Sequence, residues 1–95
     1  MQRTTNISDD ELELIQMRCN NATKGPWVSY VEGRNHTSGG NFIMTGGNNN
    51  RGEDIELIGA TIADQEFIAH ARQDIPRLIN EIRRLKQLIT DIKSS

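Results

Sequence analysis

The segment TIADQEFIAHARQDIPRLINEIRRLKQLITDIK, Thr61 to Lys93, decides the fold: it carries the strongest periodic signal in the chain and holds a proline near its centre. Thr61 with Asp64 three residues on is a helix-start pair, in which each side chain can serve the other's backbone N–H. Phe67, Ile68, Ala71 and Ile75 then supply an apolar side at helical spacing. Pro76 interrupts. Inside a helix it removes one hydrogen bond and clashes with the preceding turn at a cost of ~3 kcal/mol, whereas in a first turn it is tolerated. The segment is therefore predicted to break or kink at Pro76, with Asp74 capping a new start.

Beyond that point the apolar residues are Ile75, Leu78, Ile79, Ile82, Leu85, Leu88, Ile89 and Ile92. Positions 75, 78, 82, 85, 89 and 92 alternate by three and four as in a heptad, and Ile79 and Leu88 widen the stripe. Fewer than about three heptads is short for an autonomous coiled coil. The widened stripe suits a helix that uses one edge on its own sheet and the other on a partner, so Leu78, Ile82, Leu85, Ile89 and Ile92 are expected to mediate homo-oligomerisation. In a parallel pair Glu81 at heptad position g would meet Lys86 at position e of the neighbour. Arg77, Arg83, Arg84, Lys86 and Lys93 are diluted by Asp74, Glu81 and Asp91 and read as a solvated face.

Upstream of this segment the period changes. WVSYVEG, NFIMTG and DIELIG are rich in β-branched or aromatic residues and predict a three-stranded antiparallel meander over 27–59. The connections RNHTSGG and GGNNNRGE carry the Gly and Asn that hairpin loops need for positive φ. Before the sheet, NISDDELELIQMRCNNA predicts a helix over 8–22. Ser8 and Glu11 make a capping box, Asp9 and Asp10 suit the positive end of the helix dipole, and Leu12, Ile15, Cys19 and Ala22 form one apolar stripe. The expected fold is thus α+β in a single domain: a flexible 1–7, a helix, a three-stranded meander, and a helical segment over 61–93 broken or kinked near Pro76.

The composition narrows the function classes. In 95 residues, 35% hydrophobic and 4% aromatic content is low for a self-sufficient globule, which again points to association. A net charge of −2 lacks the cationic excess that phosphate neutralisation uses, so nucleic acid is disfavoured as the partner. The single cysteine, Cys19, suits a reducing compartment and reads as part of the apolar stripe. The polar, acidic start and the absence of a long apolar run predict a cytoplasmic protein with no membrane span.

Chemistry-bearing patterns are sparse. One Cys and two His on separate elements make no metal motif, neighbouring carboxylates fall at a helix start or beside a turn, and no cofactor or catalytic residue is expected. TGGNNNRGED, Thr45 to Asp54, has the Gly spacing of a phosphate loop, but Glu53 stands where a lysine must reach the phosphates and no helix pattern follows. Two candidate contact patches remain. One is the turn itself, with Asn48, Asn49, Asn50 and Arg51. The other is VEGRNHT, where Glu32, Arg34 and His36 fall on one side of an extended strand beside Tyr30.

The two ends of the chain carry a resemblance. ATKGPW, Ala22 to Trp27, closes the N-terminal helix, and ADQEFIAHA, Ala63 to Ala71, precedes a leucine-rich helix. In both blocks the chain resembles the Ead-like early-region proteins of phages and prophages, which share an A-T-x-G-P-W turn and an A-D-x-x-F-I-A-x-A block. The central stretch from Val31 to Asp54 is not part of that pattern. The resemblance implies an accessory protein of mobile or defence-related loci and offers no catalytic residues. A non-enzymatic inhibitor or immunity-type protein, neutralising a toxin or host factor with its sheet and loops, is the function expected. The alternative is an oligomer that sequesters a nucleotide-like signal with Arg34, Arg51 and the Asn loop.

Overall fold

The computed structural model describes residues 6–34 and 40–94. Four elements follow in order: α1 (Asp9–Asn21), β1 (Val28–Tyr30), β2 (Phe42–Met44) and α2 (Ile62–Ser94). Both helix starts are capped as local chemistry dictates. The Ser8 hydroxyl accepts from the Glu11 N–H at 3.1 Å while the Glu11 carboxylate accepts from the Ser8 N–H at 2.9 Å. Thr61 and Asp64 make the same reciprocal pair at 3.1 and 3.0 Å. Each pair satisfies two donors that have no partner within the helix.

α2 is the spine. At about 1.5 Å per residue its 33 residues span roughly 50 Å, most of the 59 Å long axis of the molecule. The sheet packs on its N-terminal half. α1 lies antiparallel to the half that follows, with Thr23 O accepting from Arg72 Nε, Glu13 paired to Arg83 and Asp9 to Lys86. The core between these layers is small: Leu12, Val31, Ile43, Met44, Ala69 and Ile79, joined by the buried polar residues Thr45 and Gln65.

Two expectations need correction. Among the described residues the sheet has two strands, not three. β1 and β2 pair antiparallel with Val28 opposite Met44, Ser29 opposite Ile43 and Tyr30 opposite Phe42. The DIELIG run contributes one isolated bridge, Ile43 to Ile55, with reciprocal N–H···O bonds of 2.8 and 2.9 Å. The chain must then leave the sheet edge to reach Thr61, and it does so through a turn at Ile58 and Gly59, whose φ of +84° suits glycine. One residue of pairing anchors the run, and its β-rich composition extends no ladder.

The second correction concerns Pro76, which lies inside an uninterrupted helix from Ile62 to Ser94. Upstream of it, Gln73 is bonded to Trp27. Downstream, Ile79 is buried and Arg83 and Lys86 reach α1. Both halves of α2 are thereby docked on one body, and this tertiary packing overrides the local cost of the missing N–H.

Candidate binding surfaces

Two glutamines of α2 tie the sheet and the Trp27 corner to the helix. Gln65 is 3% exposed, and its amide nitrogen lies 2.8 Å from Ser29 Oγ and 3.2 Å from both Tyr30 O and Phe42 O. Two turns on, Gln73 takes the Trp27 backbone at both ends. Its Oε1 accepts from Trp27 N–H at 2.7 Å, and its Nε2 donates to Trp27 O at 3.2 Å and to Ala69 O at 3.1 Å. Trp27 also donates its indole N–H to Thr23 O at 3.0 Å, which fixes the corner between α1 and β1. Sequence reasoning missed both glutamines. Their signal was the spacing Gln65, Ala69, Gln73, which puts a small residue between two amides on one helix face.

The Gly/Asn turn is closed on itself. Gly52 N–H donates to Thr45 O at 3.0 Å and Thr45 Oγ1 donates to Glu53 O at 2.9 Å, with Thr45, Gly46 and Gly47 buried. A Cβ on Gly46, whose φ is +78°, would lie 1.8 Å from Asn50 O, and one on Gly47 would lie 3.1 Å from the Pro26 ring. The glycines therefore serve close approach of backbone to backbone and leave no open cradle of amides. Asn48, Asn49, Asn50 and Arg51 are exposed, and Arg51 is paired with Asp54 at 2.6 Å.

The other sequence-derived patch sits at the opposite end of the sheet. Tyr30 stacks on Phe42, with ring centroids 5.2 Å apart and planes 2° from parallel. The Glu32 carboxylate accepts from the Gly40 N–H, and the Glu32 N–H donates to Asn41 Oδ1, so this residue ties the β1–β2 connection together. Arg34 is ion-paired with Glu66 of α2. His36 lies outside the described residues. In the β1–β2 register, Tyr30 and Phe42 mark one end while Val28 and Met44 mark the other, next to the Asn turn. Arg34 and Arg51 thus stand at opposite ends of the sheet, each held by a carboxylate.

Charge pairing also organises α2 and α1. The Asp9 carboxyl is held below its ordinary range by the hydrogen bond from Lys86 and then by the Lys86 charge. Glu81 is likewise lowered by the hydrogen bond from Arg84, which is raised in turn. Among the described residues no group of three or more His, Cys, Asp or Glu side chains is placed to hold a metal ion, and no helix is long and apolar enough to cross a membrane.

Exposed apolar surface is where the molecule departs from an ordinary small domain. Ile58 is fully exposed and Phe67 is 75% exposed. With Leu57, Ala60 and Ile68 they line one shallow depression bordered by Glu56 and Asp64. Phe67 belongs to the apolar side that the spacing marks, yet the buried face of this stretch is that of Gln65 and Ala69. A second apolar surface follows α2. Leu78, Leu85, Ile89 and Ile92, four of the five residues expected to self-associate, are exposed, and the fifth, Ile82, is half-buried. At its upper end this surface continues into a groove between α1 and α2 lined by Ile15, Cys19, Ala22, Trp27, Ile68 and Ile75.

Comparison with protein-family models, with curated proteins and with solved structures finds no match to this chain.

Proposed function

We propose that this chain is a non-enzymatic binding protein of the inhibitor or immunity type, acting in the cytoplasm and neutralising a protein partner. The observation that carries the reading is the knob formed by Ile58 and Phe67 beside an acidic rim. Large apolar side chains standing together in water and bordered by charge are the anatomy of an interface centre awaiting its partner. Aromatic anchors of this kind carry a disproportionate share of binding energy. The rim residues Glu56 and Asp64 suit a partner with an apolar pocket edged by lysine or arginine.

The arginine geometry supports this reading over sequestration of a nucleotide-like signal. Such a ligand needs cationic groups that converge, whereas Arg34 and Arg51 stand apart and are each neutralised by a carboxylate. The resemblance to Ead-like proteins supports a phage or mobile-element locus. The lone Cys19 supports a reducing compartment.

The test is affinity capture with wild type and with an Ile58→Ser, Phe67→Ser double variant, in parallel with a thermal-shift screen against nucleotides. Both substitutions fall on exposed side chains, so the variant is expected to fold as wild type and to lose a stoichiometric protein partner. Capture unchanged by the variant would remove the knob from the argument. A rise in melting temperature with a nucleotide, and no captured protein, would favour the sequestering alternative.

A further inference from the structure

We propose that α2 pairs with α2 of a second copy of this chain as a parallel, two-stranded coiled coil running from Ile68 to Ile92. The inference starts from the continuity of the helix through Pro76. Once the helix is unbroken, the three-four alternation extends back past Ile75 to Ala71 and Ile68 and covers about three and a half heptads, roughly 37 Å of helix. Position a is then Ile68, Ile75, Ile82 and Ile89. Position d is Ala71, Leu78, Leu85 and Ile92. Isoleucine at every a with leucine in the middle of d is the combination that favours two parallel strands, because the side-chain geometry at a and d of a dimer suits β-branched and γ-branched residues respectively.

The chain's own packing uses mainly a neighbouring face, and it shares with the a/d row the upper residues Ile68, Ala71 and Ile75, which line the groove beside α1. Gln65, Ile79 and Lys86 fall at e, Ala69 and Arg83 at b, and Gln73 at f, and these are the residues that reach the sheet or α1. Pro76 also falls at b, so its ring is out of the seam. What this leaves in water is the lower a/d row, 38% exposed at Ile75 and 65% exposed at Ile92, while Ile68, Ala71 and Ile82 are half-buried.

Charge selects the orientation. The g edge carries Asp74 and Glu81, and the e edge carries Arg72, Lys86 and Lys93. A parallel pair sets g against e of the following heptad, which brings Glu81 to Lys86, while Asp74 meets Ile79 and the bases Arg72 and Lys93 meet Phe67 and Leu88. An antiparallel pair sets g against g and e against e, which gives no acid–base pair in any register because g holds no base and e holds no acid. Lys86 already bonds Asp9 of its own chain at 2.8 Å and Glu81 bonds Arg84 at 2.6 Å, yet their side chains stay 42% and 51% exposed, which leaves room for a second charge partner at each. Parallel pairing also puts both Ile58–Phe67 knobs at the same end of the dimer.

Sedimentation equilibrium on the full chain tests the stoichiometry, and one engineered thiol tests the orientation. Wild type is expected at twice the chain mass. Leu85→Asp puts a carboxylate in the seam and is expected to raise the dimer dissociation constant at least ~100-fold. Because Leu85 is exposed in the single chain, circular dichroism should show a folded monomer. Ile92→Cys in a Cys19→Ser background sets two thiols face to face at d in a parallel pair, so mild oxidation should link the chains nearly completely. That arm does not depend on how Leu85→Asp folds. A monomeric wild type overturns the pairing, a trimer or larger assembly overturns the two-stranded form, and a dimer that fails to cross-link overturns the parallel orientation. None of these outcomes bears on the knob, which is tested by capture.

Discussion

Gln65→Glu is nearly isosteric, yet it should be among the most damaging single changes in the chain, and its effect should depend on pH. The amide nitrogen of Gln65 is the donor that ties α2 to Ser29, Tyr30 and Phe42, and the residue is 3% exposed. An ionised carboxylate donates nothing. From inside the protein it would face two carbonyl oxygens, with the Ser29 hydroxyl as the one neighbour of the three able to donate to it. Losing the donor and burying an unpaired charge is worth about 3 kcal/mol or more, and in a domain of this size that corresponds to a fall in melting temperature of roughly 12 to 24 °C. Protonation restores a donor. Burial and the facing carbonyls raise the folded-state pKa of the new carboxyl above its unfolded value, so between the two the folded state binds more protons and stability falls as pH rises. The loss is therefore largest at neutral pH and shrinks as pH falls through the raised pKa. Gln65→Leu is the control, costing about 1 to 3 kcal/mol with no such pH dependence. Thermal melts by circular dichroism between pH 4 and 8, at one protein concentration because the proposed association would shift the midpoint, report both variants against wild type. A Gln65→Glu protein that melts within a few degrees of wild type at pH 7 would refute the idea that this amide joins helix to sheet.

Other expectations rest on separate contacts. Gly46→Ala forces a Cβ to within 1.8 Å of Asn50 O at positive φ, whereas Gly59 has a similar φ of +84° with nothing within 4 Å of the added atom. Denaturant unfolding should show a loss of about 1 to 2 kcal/mol for Gly59→Ala, from the left-handed backbone alone, and a clearly larger one for Gly46→Ala. Asp9 is lowered by Lys86, so its folded-state value lies below the unfolded one. Its contribution is present at neutral pH and is lost as pH falls through the acid range, and an NMR titration of Lys86→Met should return the Asp9 carboxyl toward its ordinary value. Pro76→Ala should stabilise the chain by up to ~3 kcal/mol with no change in helical ellipticity. A gain in helix signal would mean that the wild-type helix is broken at that point.

The parts of the fold that were legible in the sequence are those whose chemistry is local. Ser8 with Glu11 and Thr61 with Asp64 each act within one turn, and both mark real helix starts. The Leu12, Ile15, Cys19 and Ala22 stripe was equally plain. What failed was non-local. Whether DIELIG forms a strand depends on how much edge β2 offers, and after the Ile43–Ile55 bridge the chain must turn at Gly59 to reach α2. The Arg34–Glu66 pair joins residues from different elements, so nothing in VEGRNHT announces it. For the Asn turn, sequence could exclude a phosphate loop from Glu53 alone. The burial of Thr45, Gly46 and Gly47 against Thr23 and Pro26 needed the fold.

The exposure of Phe67 on the apolar side and the unbroken helix through Pro76 have a common origin. In a helix that serves one core, the most apolar side is the inner side, and a proline that weakens the helix marks its end. α2 serves two surfaces. Its own sheet is held by amides, Gln65 and Gln73, spaced around Ala69, so the face turned inward is partly polar. In the proposed pairing the apolar row from Ile68 to Ile92 serves a second copy, with Phe67 at its edge. A row of that length works as a seam only if the helix is straight through its middle, and Pro76 is compatible with this because it falls on the inner face, where contacts on both sides hold the turn. Helix continuity thus links the correction of the fold to the proposed pairing. If Pro76 broke the helix, the row would fall into two pieces, each too short to hold a partner.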